Sequence, residues 1–208
     1  MYLPEIFRED RLDILHALMR AHPLATLVTT GSGGLLANLA PFLIVEDGAK
    51  GTLRAHLAKA NDQVNALREG CEALVVFQGP NAPVTPSWYP SKAEHGKVVP
   101  TWNFAMVQAR GRARVIDEPD WLRGQVEALT VSQESRRANP WHVSDAPEEF
   151  IATMLKGVVG IEIVIDHIEG KWKVSQNRPE PDRRGVAEGL RRENAGEDMA
   201  RLVEQRIG

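Results

Sequence analysis

The chain has little cysteine: Cys71 is alone among 208 residues, so one chain can form neither an internal disulfide nor a cysteine-based zinc cluster. A lone cysteine suits a reducing compartment, and its expected role is a small apolar residue in or beside a strand. Long apolar runs are missing too, so no stretch is suited to crossing a bilayer. The opening Met1-Tyr2-Leu3-Pro4-Glu5-Ile6-Phe7 lacks the basic region and apolar core of a signal peptide, and the expectation is a cytoplasmic protein. There is no basic surplus: the formal net charge is -3, which argues against a surface devoted to nucleic acid and restricts any DNA contact to a local patch. The histidines, His16, His22, His56, His95, His142 and His167, include no pair at the i, i+4 spacing that places two imidazoles on one helical face, so no metal site is expected. A Gly-x-Ser-x-Gly elbow is absent, which disfavours a serine hydrolase. Gly31-Ser32-Gly33-Gly34 lacks the Lys-Ser/Thr of a phosphate loop and leads into an extended run, so it reads as a hairpin turn. No catalytic acid or base stands out.

What is present is an ordinary globular composition, 43% hydrophobic and 25% charged, in a chain long enough to bury a sizeable core. The expected organisation is a domain over residues 1–178 with a helical extension, 179–208, packed on it. Leu12, Leu15, Leu18 and Met19 make one apolar face of a helix from Asp10 to His22, which Pro23 stops. Strands are expected over 24–30, 35–45, 52–58, 72–78, 101–116 and 157–165, with 171–174 pairing back on the last of these as a hairpin. Shorter helices are expected over 61–69, 119–131 and 147–155, and Met199, Leu202 and Val203 form an apolar stripe in a charged helical tail. The proline-rich, aromatic segment 81–100 reads as an ordered loop on this scaffold. Strands joined by short turns predict a closed or nearly closed antiparallel barrel with helices outside, and the regular strand–helix alternation of a doubly wound sheet is missing.

Three groups of residues could carry chemistry. In Leu53-Arg54-Ala55-His56-Leu57-Ala58-Lys59-Ala60-Asn61 a strand runs into a helix, with Arg54, His56 and Ala58 on one strand face and Lys59 before the expected cap, Asn61. Helix N-terminal N–H groups beside a lysine make a phosphate site; the bland alternative is a solvated basic strand end. The second group, Phe77-Gln78-Gly79-Pro80, Pro86-Ser87-Trp88-Tyr89-Pro90 and Val99-Pro100-Thr101-Trp102-Asn103, sets aromatics and hydrogen-bonding side chains in proline-stiffened backbone. Such a wall suits a planar heterocycle, and equally a plugged barrel end or a subunit interface. The third is Arg110, Arg112 and Arg114, three guanidinium groups on one strand face. They could meet DNA phosphates, although a solvated face paired with acids is the commoner outcome.

Taken together, and with Met1-Tyr2-Leu3-Pro4, Thr26-Leu27-Val28-Thr29-Thr30, Pro41-Phe42-Leu43, Gly160-Ile161-Glu162-Ile163, Ile168-Glu169-Gly170-Lys171, Ser175-Gln176-Asn177-Arg178 and Asp182-Arg183-Arg184-Gly185-Val186, these segments resemble the PaiB family of FMN-binding negative transcriptional regulators. The resemblance implies a flavin split barrel, a Greek-key-like antiparallel β-barrel that dimerises with FMN at the interface. It places the cofactor against Asn38, Leu39, Ala40, Pro41 and Phe42, against Arg54, His56 and Lys59, and against Thr85 and Ser87, with Trp88, Trp102 and Asn103 as further contacts. Leu39-Ala40 departs from the bulkier or more polar residues frequent there in the family. The implied function is a flavin-binding repressor working as a homodimer, whose DNA contact would have to be concentrated on a feature such as the Arg110, Arg112 and Arg114 face or assembled by dimerisation; the alternative is a flavin-dependent reductase of small molecules.

Overall fold

A computed structural model describes residues 1–206. The alternating stretches form strands β1 (Arg8–Glu9), β2 (Leu24–Gly31), β3 (Gly34–Pro41), β4 (Leu43–Val45), β5 (Thr52–Ala58), β6 (Glu72–Val84), β7 (Thr101–Ile116), β8 (Val158–Val164) and β9 (His167–Lys173). The helices are α1 (Leu12–Ala21), α2 (Gln63–Arg68), α3 (Ser91–His95), α4 (Pro119–Glu134), α5 (Glu148–Leu155), α6 (Glu180–Arg192) and α7 (Glu197–Glu204). The strands follow the order β3-β2-β6-β7-β8-β5-β4, and β9 pairs with β1 and β7. The pairs β1–β9, β2–β3, β2–β6, β4–β5, β5–β8 and β7–β8 are antiparallel. This mainly antiparallel sheet with flanking helices is the fold class read from the sequence.

Three strand expectations need correction. The run 35–45 is two strands, because Pro41 carries no N–H and Phe42 turns into the core with its N–H on Pro23 O at 2.8 Å. The chain changes partner at that point: β3 pairs with β2, and β4 with β5. Gly79-Pro80 does not close β6, which continues to Val84. Buried positions fall on odd residues through Gly79 and on even ones from Ala82, so the alternation slips at Pro80-Asn81, as at a bulge, where a sheet tolerates proline. Finally, 171–174 does not pair back on β8; β9 joins β1 in the register Arg8↔Lys171 and Glu9↔Gly170.

The chain divides into two compact units. One comprises Met1–Leu18, Gln78–Val107 and the chain from Glu169 onward. Its core includes Leu15, Leu18, Val84, Trp88, Val107, Trp172, Val186, Leu190, Met199 and Val203. Here α6 approaches Trp88 through two glycines one turn apart: a Cβ on Gly185 would lie 2.0 Å from the Trp88 carbonyl oxygen, and one on Gly189 2.4 Å from the indole ring. The same helix holds Asp182, whose carboxylate accepts from Ser91 N at 3.1 Å and Ser91 Oγ at 2.7 Å. The other unit comprises Met19–Phe77 and Gln108–Ile168. Its core is built from inward positions of β2, β5, β6 and β8, including Leu27, Leu53, Leu57, Phe77 and Ile161, with Phe42 edge-on to Phe77 at 6.0 Å. Trp121 of α4 lies so close to β8 that a Cβ on Gly160 would come within 2.2 Å of its ring.

Candidate functional site

The alternation of β5 sends Leu53, Ala55 and Leu57 into the core and leaves Arg54, His56 and Ala58 on the outer face, as the sequence predicts. The chain then turns sharply, with Lys59 N on Gly157 O at 2.9 Å and Asn61 N on Ala58 O at 3.0 Å. Residues Ala58, Ala60, Asn61 and Asp62 of this turn and Leu35–Asn38 of β3 line a groove of about 610 Å³. Asn38 donates through Nδ2 to Gln63 Oε1 at 3.0 Å and lies 3.4 Å from Asn61 Oδ1. Gln63, which the sequence reading passes over, is fully buried: its Nε2 faces Leu27 O (2.9 Å), Thr29 Oγ1 (3.2 Å) and Leu36 O (3.2 Å). One amide thus joins β2, β3 and the start of α2. Nothing local marks it, since a glutamine in the first turn of a short helix ordinarily faces solvent.

The helix N-terminus is less open to an anion than its sequence suggests. Gln63 N donates to Asn61 Oδ1 at 2.9 Å, and the N–H groups of Val64 and Asn65 meet the carbonyls of Asn61 and Asp62. The Asn61 side chain, one residue before the N-cap Asp62, therefore already occupies the first N–H of α2. Arg54 is also engaged: its Nε donates to Glu162 Oε2 at 2.8 Å, and its guanidinium lies 5.9 Å from the Trp121 ring centroid. The other Glu162 oxygen accepts from Arg114 Nη2 at 2.9 Å, so one carboxylate serves two guanidinium groups. Lys59, between groove residues Ala58 and Ala60, is exposed and enters no ion pair among the described residues. His56 is half-buried; desolvation lowers its pKa, and its buried Nδ1 has no hydrogen-bond partner among the described residues.

The remaining residues named from the resemblance divide between core and surface. Leu39 is exposed, Pro41 half-buried, and Ala40 and Phe42 buried. In the other unit, Thr85 and Trp102 line a second groove of about 520 Å³, and Thr85 Oγ1 accepts from the N–H of exposed Ser87 at 3.3 Å. Trp88 is only 6% exposed, with its indole N–H on Glu193 at 2.8 Å. Asn103 is buried with its Nδ2 on Ser175 Oγ at 2.9 Å and its Oδ1 without a partner among the described residues. Arg112 Nη1 donates to Gly70 O at 3.0 Å, while the buried Arg110 Nε has no partner among the described residues. Among the described residues, no group of three or more His, Cys, Asp or Glu is placed to hold a metal ion.

Residues 1–167 match a family described as "Putative FMN-binding domain". The chain belongs to this family. The chain is 36% identical to the uncharacterized protein AN0679 of Emericella nidulans, over 98% of this chain and 94% of that one. It is 31% identical to the Bacillus subtilis "Protease synthase and sporulation protein PAI 2", the PaiB protein, over 100% of this chain and 98% of the relative. Among solved structures it is similar to the FAD and heme binding protein of Mycobacterium smegmatis, with TM-score 0.60, 21% identity, and coverage of 80% of this chain and 73% of that one. It is also similar to the flavocytochrome Anf3 of Azotobacter vinelandii, with TM-score 0.56, 16% identity, and coverage of 80% and 69%. The fold is the flavin split barrel that the sequence resemblance implies, and the cofactor that goes with the family is FMN.

Proposed function

We propose that FMN binds in the groove between β3 and the Ala58–Asp62 turn, with its phosphate on Lys59, and that the FMN-loaded homodimer acts as a PaiB-like negative regulator of transcription. The observation that carries the placement is the exposed Lys59, which enters no ion pair among the described residues and whose chain neighbours Ala58 and Ala60 both line the groove. Asn38 and Asn61 on the groove walls would address polar edges of the ring, and Arg54, committed to Glu162, would shape the site rather than take the phosphate. When bound, FMN would supply hydride or electron transfer. The test is a fluorescence titration of FMN against riboflavin: FMN should bind more tightly, and Lys59→Ala should erase most of the difference. Equal affinities in the unaltered protein would overturn the phosphate assignment.

The dimer reading is supported by one sheet face. The β2–β3–β6 registers bring Leu24, Thr26, Val28, Leu35, Ala37, Leu39, Leu74 and Val76 onto the same side. Leu35 is 78%, Leu39 64% and Leu24 57% exposed, an apolar surface of the kind that covers itself in a second copy. The regulator reading is supported by the sporulation-linked name of the Bacillus relative.

The reductase is a second reading, favoured by the state of the candidate DNA contacts. Arg114 is paired with Glu162, and Arg112 is bound to Gly70 O. Rapid bleaching of bound flavin by a reduced nicotinamide, with no DNA retardation at low salt, would select this reading.

A further inference from the structure

Alternation along β9 buries Gly170 and Trp172 and turns Glu169, Lys171 and Lys173 to the other side of the sheet. Its neighbour β7 presents Trp102, Phe104 and Met106 on its less buried side, none of them charged. The two rows meet. Lys171 Nζ lies 5.5 Å from the Phe104 centroid and 5.3 Å from that of Tyr2, whose carbonyl oxygen it reaches at 2.8 Å. Lys173 Nζ donates to Thr101 Oγ1 and Trp102 O, each at 2.5 Å. Beyond the strand, the Arg178 guanidinium lies 4.9 Å from the Tyr89 centroid. All of these residues belong to one of the two compact units.

The acids around this face are already engaged. Glu169 meets the Met1 ammonium at 2.9 Å, Glu180 is bound by Arg184 at 2.6 Å, and buried Asp182 accepts from Ser91. Lys171, Lys173 and Arg178 enter no ion pair among the described residues. Burial first, then repulsion from Lys171 and Arg178, lowers the Lys173 pKa. Three mutually repelling cations, in a chain of net charge -3, are stabilised by a polyanion laid across them. Lys171 and Lys173 stand about 6.6 Å apart along the strand, which suits neighbouring phosphates of an extended single strand. The aromatic component narrows the class further. Tyr2 is 84% exposed, and unpaired bases stack on such a ring with little sequence preference. A duplex keeps its bases stacked on one another, and an acidic peptide brings no base to stack.

We propose that this β7–β9 face binds single-stranded nucleic acid, with Lys171, Lys173 and Arg178 on its phosphates and a base stacked on Tyr2. The inference goes beyond the regulator reading, whose candidate DNA contacts Arg110, Arg112 and Arg114 belong to the other unit. It uses no residue of the groove beside Lys59. Trp102, on the same face, is a contact that the family resemblance gives to FMN, and it carries no part of the proposal.

The test is fluorescence anisotropy of labelled oligo(dT), oligo(U) and a duplex of equal length against the full-length protein, with and without FMN. Saturable binding of either single strand at low salt, tighter than that of the duplex, is the expected result, and the two strands report whether the sugar matters. Combining Lys171→Gln, Lys173→Gln and Arg178→Gln should weaken it about ten-fold or more and reduce the log–log salt slope by about 2. Tyr2→Ala, at an exposed position, should weaken it about five-fold or more with the slope unchanged. FMN affinity should be the same in both variants. No binding at low salt, single-strand affinity unchanged in both variants, or polyglutamate competing as well as oligo(dT) would overturn the proposal. Tighter binding of the duplex, lost on changing Arg110, Arg112 and Arg114 to glutamine, would overturn it while sustaining the regulator reading.

Discussion

The side-chain amide of Asn38 donates to Oε1 of fully buried Gln63 at 3.0 Å, across 25 positions of sequence, and so ties the wall of the proposed FMN groove to the start of α2. Replacing Gln63 with leucine would keep most of the volume but leave the carbonyls of Leu27 and Leu36 without their amide donor. An unsatisfied buried polar group costs about 1–3 kcal/mol. Urea unfolding of Gln63→Leu should show a lowered midpoint with an unchanged slope, and FMN affinity should fall because the groove wall loses its anchor.

Glu9 gives an acid-side prediction. Its carboxylate is 4% exposed and held at about 2, foremost by the Arg11 hydrogen bond and also by Arg206, against the upward push of burial. In the unfolded chain the group returns to about 4.3. A folded-state pKa below the unfolded one contributes stability that is fully present above the unfolded value and is lost as pH falls toward the folded value. Glu9→Gln should therefore be less stable than the unaltered protein at pH 7. The gap between their urea midpoints should close between about pH 5 and pH 2.

Gly185→Ala sets two effects of opposite sign against each other. Alanine is favoured over glycine inside a helix by about 1 kcal/mol. The new Cβ, however, would lie 2.0 Å from the Trp88 carbonyl, a backbone atom that cannot rotate away. Overpacking of this kind costs about 1–3 kcal/mol or more, so the net change should be destabilising. Calorimetry should show a lower melting temperature, and Gly124→Ala, with nothing within 4 Å of the new atom, should not share it.

Leu39→Glu tests the sheet face. Placing a carboxylate opposite Thr26 on an otherwise apolar surface should penalise burial of that surface against a second copy. Sedimentation equilibrium should report a dimer for the unaltered protein and a monomer for the variant, with far-ultraviolet circular dichroism unchanged. A monomer in both would remove the dimer proposal.

Much of this protein is local in origin and was readable in one dimension. The period-2 stretches of 52–58 and 101–116 give strands at the predicted bounds, and the outward set Arg54, His56 and Ala58 follows from alternation alone. The family motifs, spread along the chain, led to the split barrel and its FMN. Tertiary structure alone decided which strands pair and which charges are already used. The partner change at Pro41-Phe42, the pairing of β9 with β1, and the commitment of Arg54 and Arg114 to Glu162 each join residues far apart in sequence. Alternation and turn residues specify a strand's faces and ends, because those depend on neighbouring dihedral angles. Its partner depends on which surfaces bury most area together, and that is a property of the whole folded chain. The same reason made Trp88 a core residue under α6 and left Trp102 at an open groove, a distinction that their shared aromatic character could not make.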